Sequence, residues 1–206
     1  MTLSNSGLRS YLDQFYRLSD EEFTLFSSHF TMHNLFAKQT LIKEGEHEES
    51  IYYIVKGIFR KFFRRDKEEI ITGFYKENDF CHSAISYHSG QPSAVTIEAM
   101  EPSLCVGITK SEIEKLMVFI PGLEKIFRGV LATLYIKKDM EQMNNLRYTK
   151  RERFLQFCDE QPDLIQRVPQ KQLASYLEMT PETFCRMKQL RYKMAKEARA
   201  KASELS

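Results

Sequence analysis

The sequence predicts an α+β chain, with an antiparallel β-domain flanked by helices, then a long helix and an all-α C-terminal region. Three observations predict it. Between about Gln39 and Ile108, β-branched and aromatic residues fall into short runs broken by turn residues, with no helical period between them. After Thr109 the apolar spacing changes to three and four and keeps that period. Three S/T-x-x-E sequences, beginning at Ser19, Thr109 and Thr149, mark helix starts: the hydroxyl caps a backbone N–H and the carboxylate reaches back to the cap residue.

The first box, Ser19-Asp20-Glu21-Glu22, opens a helix whose apolar positions are Phe23, Phe26 and Phe30. Strands follow at residues 40–43, 51–56, 58–64, 69–75, 94–99 and 103–108. Turns are expected at Glu44-Gly45-Glu46, Lys56-Gly57, Asn78-Asp79 and Ser89-Gly90-Gln91-Pro92. Strands at this spacing, without helices between them, describe a sandwich or barrel that closes on itself and can hold a small ligand.

The second box, Thr109 to Glu112, opens a short helix ending at Pro121. A longer helix then runs from about Pro121 to Arg147, a length of roughly 40 Å at about 1.5 Å per residue. Its apolar stripe is Leu123, Phe127, Val130, Leu131, Leu134, Ile136, Met140, Met143 and Leu146. Such a stripe packs on its own domain or forms a coiled-coil seam with a second copy. The helix outruns a small β-domain, which favours the seam and makes Phe127, Val130, Leu131, Leu134, Met140 and Met143 the candidate dimerisation residues. The third box, Thr149 to Glu152, starts a helix with Phe154, Leu155, Phe157 and Cys158 on its apolar face, stopped by Pro162. The chain therefore divides into a β-domain over 1–120, the long helix over 121–147 and a C-terminal domain over 148–206.

Composition excludes several classes. Hydrophobic content of 42% and charged content of 28% suit a folded globular chain rather than a disordered or fibrous one. No stretch offers the roughly 18 uncharged apolar residues of a membrane span, and Met1 to Ser10 lacks the apolar core of a secretory signal, so a cytoplasmic location is expected. Cys81, Cys105, Cys158 and Cys185 are scattered, with no C-x-x-C pair and no zinc-ligand spacing, and reduced thiols are expected. Net charge is +2, yet residues 149–206 carry twelve Lys/Arg against eight Asp/Glu, a surplus of four. A basic end on a near-neutral body points to a polyanionic partner there.

Residues 169–194 carry the most specific signal. Pro169 can begin a helix with Leu173, Ala174 and Leu177 buried, and Ala174 is small enough for a crossing helix to approach. Glu178-Met179 makes the turn. Thr180 then serves as N-cap and Pro181 as first residue of a second helix, giving helix-turn-helix geometry. On that helix Phe184, Met187, Leu190 and Met194 form an apolar stripe expected to pack on the domain. Glu182, Arg186, Gln189 and Lys193 form a free polar stripe of the types that read base edges in a major groove. Lys188, Arg191 and Lys196 are candidate phosphate contacts. A salt-bridged αα-hairpin is the competing interpretation, since Glu182 and Arg186 are spaced as an ion pair.

On these residues the chain resembles the CRP/FNR superfamily of bacterial regulators from about Leu18 to Tyr192. The segment LIKEGEHEESIYYIVKGIFRKF, residues 41–62, resembles that family's cyclic-nucleotide-binding-type β-roll, a double-stranded β-helix or jelly roll. NDFCHSAISYHSGQPSAVTIEA, residues 78–99, stands where the family has its phosphate-binding cassette. TPETFCR, residues 180–186, resembles the start of its recognition helix. The resemblance implies a homodimer on double-stranded DNA with RNA polymerase as a further partner. It assigns base and phosphate contacts to Glu182 and Arg186, with Thr180 and Thr183 on phosphates.

The departures alter those expectations. The family's F-G-E-L is Phe80-Cys81-His82-Ser83 here, and its arginine is missing from Gln91-Pro92-Ser93-Ala94. Without glutamate for a ribose hydroxyl or a cation for a phosphate, cyclic AMP is not expected to bind in the family's usual way. His82, Ser83, Gln91, Ser93 and Ala94 would line whatever effector pocket remains. Glu178 takes the usual turn glycine's place and is expected at positive φ, at a cost of roughly 1 kcal/mol. Residues 192–206 read as helix, so the β-hairpin wing of many relatives is absent, as in a subgroup common in Bacteroidetes. No catalytic constellation, metal site or cofactor motif appears, and the His-x-His of barrel metalloenzymes is lacking, so enzymatic activity is not expected.

Overall fold

The computed structural model describes residues 6–204 and divides the chain into two compact units, residues 1–136 and 137–206. The first unit holds eight strands in two four-stranded antiparallel sheets. Their ranges are β1 Thr31–Leu35, β2 Thr40–Ile42, β3 Ser50–Lys56, β4 Phe59–Arg65, β5 Glu68–Tyr75, β6 Phe80–Cys81, β7 Thr96–Ala99 and β8 Ser103–Thr109. One sheet has the order β1-β8-β3-β6 and the other β2-β7-β4-β5, so neighbours in sequence repeatedly cross between sheets. That is a jelly roll, as the strand pattern and the resemblance implied. β1 was not foreseen, because Thr31, Met32 and Asn34 are exposed and leave no apolar alternation.

The helices of this unit are α1 Ser6–Leu12, α2 Asp20–Ser28, α3 Ala84–Ser89, α4 Lys110–Phe119 and the first part of α5 Gly122–Arg147. The Ser19 box forms in full: Glu22 N donates to Ser19 Oγ (3.1 Å) and Ser19 N to Glu22 Oε2 (2.8 Å). The Thr109 box forms only by half. Thr109 Oγ1 accepts from Glu112 N at 3.2 Å, but the Glu112 carboxylate turns to His29 Nδ1 at 2.6 Å, joining α4 to the end of α2.

Two cores result from the period-2 alternation of the first sheet. One face of β3, β6 and β8 presents Ile51, Tyr53, Phe80, Val106 and Ile108 to Leu8 and Leu12 of α1, Phe23 and Phe26 of α2, Ile113 and Leu116 of α4, and Leu123, Ile126, Phe127 and Val130 of α5. The opposite face presents Tyr52, Ile54, Cys81 and Cys105 to Ile42, Phe59, Ile97 and Ala99 of the second sheet. The long helix thus spends its first two turns on its own domain. Phe127 and Val130, expected on a dimer seam, are 8% and 1% exposed in that core. Leu131 and Leu134 are half-buried, and Ile136, Met140, Met143 and Leu146 are exposed.

The second unit contains the end of α5 and α6 Lys150–Glu160, α7 Pro162–Arg167, α8 Gln170–Tyr176 and α9 Pro181–Glu204. The Thr149 box forms in both directions, at 3.3 Å and 2.9 Å. Phe154, Phe157 and Cys158 of α6 pack with Leu164, Val168, Leu173, Ala174, Leu177 and Phe184 as buried residues, and the Phe154 and Phe184 rings meet edge to face at 5.2 Å. α9 continues as helix where relatives would turn into a wing, and no strand follows β8 among the described residues.

Candidate nucleic-acid interface and effector pocket

The helix-turn-helix is built as its residues dictate. Leu173 and Ala174 of α8 are fully buried, which lets α9 cross close by. Glu178 sits at φ 56°, the left-handed conformation the missing glycine required. Its carboxylate meets the guanidinium of Arg153 at 3.3 Å, and Arg153, only 9% exposed, also donates to Asn145 Oδ1 at 2.6 Å while its Nε has no partner among the described residues. At the head of α9, Thr180 Oγ1 accepts from Thr183 N at 3.2 Å, so Thr180 is the N-cap and Pro181 the first helical residue.

The same cap engages Glu182. Its own backbone N–H and the Thr180 hydroxyl hold the Glu182 carboxyl below the usual carboxylate range. The Thr180 hydroxyl also reaches Thr183 Oγ1 at 3.1 Å, and with one proton it serves either acceptor but not both. Glu182, Arg186, Gln189 and Lys193 are exposed on one stripe, and Arg186 makes no ion pair among the described residues. The salt-bridged hairpin therefore lacks its defining bridge. Arg191 is committed elsewhere, to Asp159 at 2.7 Å, and Lys196 is exposed.

One sequence expectation about α9 needs correction. Phe184 is buried, but Leu190 and Met194 are 41% and 51% exposed, so the apolar stripe leaves the domain after about two turns. Lys188, the candidate phosphate contact set apart from the polar stripe, is exposed. It lines a cavity of about 380 Å³ with Phe154, Cys158, Ile165, Phe184, Arg191 and Tyr192, centred roughly 140° round the helix from Glu182, Arg186 and Gln189 at 3.6 residues per turn.

In the β-roll, the cassette forms a turn of helix that the sequence did not reveal. α3 starts after Ser83, which is buried and makes no side-chain cap bond, and ends at Gly90 in the left-handed conformation. His82 packs edge-on to Tyr87 and His88, and burial together with the His88 and Lys61 charges lowers its pKa to about 4. Ser93 is buried, but its hydroxyl donates to Val95 O (2.7 Å) and accepts from Val95 N (3.3 Å), closing a turn. Gln91 and Ala94 are exposed. Of the five pocket candidates, only His82 and Ser83 lie together at the head of α3.

Sequence reasoning missed Lys61. β4 pairs with β7 as Phe59↔Ala99, Arg60↔Glu98 and Lys61↔Ile97. Paired residues share a face, and Phe59, Ala99 and Ile97 all lie between the sheets. Lys61 therefore faces the inside of the roll. Arg60 faces the other way, to Glu98 and Glu69. The parity of Phe-Arg-Lys in β4 was the available signal.

Residues 32–118 match the cyclic nucleotide-binding domain family. The chain is similar to the cAMP-activated global transcriptional regulator CRP of Pasteurella multocida, 27% identical over 60% of this chain and 59% of that one. It thus spans about six-tenths of that relative's length. Among solved structures it resembles FixK2 of Bradyrhizobium japonicum (20% identity, TM-score 0.65, 81% of this chain and 86% of that one). It also resembles the c-di-GMP-responsive global regulator CLP of Xanthomonas campestris (13% identity, TM-score 0.67, 85% and 93%). No helix among the described residues is long and apolar enough to cross a membrane.

Proposed function

We propose that the chain is a transcription regulator of the CRP/FNR superfamily, as its cyclic nucleotide-binding domain match and its likeness to CRP suggest, and that it acts as a cytoplasmic homodimer that binds a specific duplex DNA sequence through α9. The observation that carries this is the exposed stripe of Glu182, Arg186, Gln189 and Lys193 on a helix whose start is fixed by Thr180 and Pro181. Arg186 would clamp guanine O6 and N7 or a phosphate, Gln189 an adenine edge, and Lys193 a phosphate. Glu182 would accept from cytosine N4 after its carboxylate swings off its own backbone N–H. Thr180 and Thr183 lie at the helix head, where hydroxyls and N–H groups favour a phosphate oxygen. Pro181 stands where relatives often carry an arginine, so the preferred operator differs from theirs.

Dimerisation through Leu131, Leu134, Met140 and Met143, all on α5 beyond the buried turns, would place two α9 helices in successive major grooves about 34 Å apart. RNA polymerase is the further partner that such a regulator serves. The effector pocket is altered: with His82 and Ser83 in place of glycine and glutamate, and Gln91 and Ala94 exposed, cyclic AMP lacks its usual ribose and phosphate contacts.

The test is a gel-shift series on the DNA upstream of the chain's own reading frame. The expected result is one salt-sensitive shift, abolished by Arg186→Ala and unchanged by cyclic AMP. Absence of salt-dependent binding to any duplex would overturn the assignment.

A further inference from the structure

The reverse face of the helix-turn-helix holds a cavity outside the stripe proposed to read DNA. Phe154 and Cys158 of α6 stand four residues apart on one helix face, and Phe184, Lys188, Arg191 and Tyr192 recur at helical spacing on one face of α9. With Ile165 of α7 they line about 380 Å³, within the roughly 300–1,000 Å³ usual for small-molecule sites. Phe154 and Phe184 fill their own layer, meeting edge to face at 5.2 Å. One turn further along each helix stand Cys158, which is small, and Lys188, which is long and charged. Neither closes the space as a third large apolar side chain would.

Lys188 and Arg191 set the charge at its mouth. Arg191 donates to Asp159 at 2.7 Å, so that cation is already paired. Lys188 makes no ion pair among the described residues, and its ammonium lies near enough to the Cys158 thiol to act on it. Burial nonetheless raises the pKa of that thiol, which is 3% exposed, so the floor stays neutral while the mouth keeps one positive charge in surplus. A matching occupant has a flat apolar body for Phe154, Phe184 and Ile165 and one negative charge for Lys188. A bare phosphate would meet the lysine and leave the aromatic walls uncovered.

We propose that the cavity between α6, α7 and α9 binds a small aromatic carboxylate, its rings against Phe154, Phe184 and Ile165 and its charge on Lys188. The occupant touches α9 from behind, away from Glu182, Arg186 and Gln189, and leaves that stripe uncovered. The site lies in the helical unit, apart from the β-roll. It does not depend on the DNA-binding assignment and is tested without DNA, so the two fail separately.

The chain has no tryptophan, so the fluorescence of a naphthalene probe is read without interference. The full chain is titrated with 2-naphthoate and with naphthalene-2-carboxamide, a neutral probe of nearly the same shape. The expected result is saturable binding of both, about three- to fivefold tighter for the carboxylate, the scale of an ion pair at a solvated rim. Lys188→Met should remove that preference and Lys188→Arg should keep it. Ile165→Trp fills the cavity and should weaken both probes more than fivefold. If Ile165→Trp melts below the parent, backbone amide shifts induced by 2-naphthoate in the parent chain decide in its place, and they should cluster at Cys158, Ile165 and Lys188. The proposal is overturned by no saturable binding, by a carboxylate preference below twofold or one that survives Lys188→Met, by affinity that a folded Ile165→Trp leaves within fivefold, or by shifts confined to the β-roll. Shifts at the same three residues that follow protein concentration without a probe would also overturn it, by giving the cavity to a second copy of the chain.

Discussion

Glu178 sets two effects of similar size against each other, and two substitutions separate them. Its φ of 56° places an L-residue in the left-handed region, a cost of roughly 1–2 kcal/mol that glycine does not carry. Its carboxylate, 64% exposed, is one of two partners of the buried Arg153 among the described residues. Because the carboxylate is largely solvated, that pair contributes about 1 kcal/mol or less. Glu178→Ala loses the pair and keeps the strain, so it destabilises the C-terminal unit by about 1 kcal/mol. Glu178→Gly also loses the pair but relieves the strain. Allowing for glycine's greater freedom in the unfolded chain, it stays within about 0.5 kcal/mol of the parent. For a unit of this size a 1 kcal/mol gap is roughly 4–8 °C. The assay is thermal unfolding of the full chain by far-ultraviolet circular dichroism, following the transition of the helical unit. If the alanine variant melts at or above the glycine variant, the strain argument is wrong.

Four further outcomes are expected. Gly57→Ala should destabilise the β-roll by about 3 kcal/mol or more, since φ is 100° and the new Cβ would lie 2.6 Å from Ser103 Cβ and 2.9 Å from its Cα; soluble yield and melting temperature check it. Phe184→Ala should cost about 3–5 kcal/mol by emptying the contact with Phe154, read in urea unfolding of the helical unit. Burial lowers the His82 pKa to about 4, below its unfolded value near 6.5, so the native state binds fewer protons between those values. Stability should be full above about pH 6.5 and decline towards pH 4, and His82→Gln should flatten that decline in a pH series of melts. Lys193→Met should weaken binding to all duplexes alike and reduce the slope of log K against log salt by about 0.9.

Much of the fold was legible because it rests on local chemistry. The capping sequences at Ser19 and Thr149 form as written, and Thr180-Pro181 starts α9, because each needs only residues three apart. Glu178 was readable as a strained turn for the same reason. What failed depends on distant partners. Glu112 leaves its cap for His29, 83 residues away, which no local pattern encodes. The stripe on α5 looked continuous, yet whether Phe127 and Val130 face a second copy or the chain's own sheet is decided by where α1 and α2 pack. The stripe on α9 was likewise real in period, but it outruns the domain, so Leu190 and Met194 stay exposed. In the roll the inward aim of Lys61 is fixed by the β4–β7 register, of which the parity of Phe59, Arg60 and Lys61 carries only the local part.

Arg153 gives the C-terminal unit a mechanical property. Its planar, rigid fork holds Asn145 in the last turns of α5 with one nitrogen and the turn before α9 with another. Water reaches the Arg153 side chain poorly, although its Glu178 partner is largely solvated, so the guanidinium keeps both contacts chiefly because its own desolvated N–H groups need acceptors. A twist applied to the end of α5 is therefore passed by the guanidinium to the turn that precedes α9. The stripe of Arg186 and Gln189 is then steered from a point about thirty residues upstream in the chain, and the stiffness of that linkage is set by a single side chain.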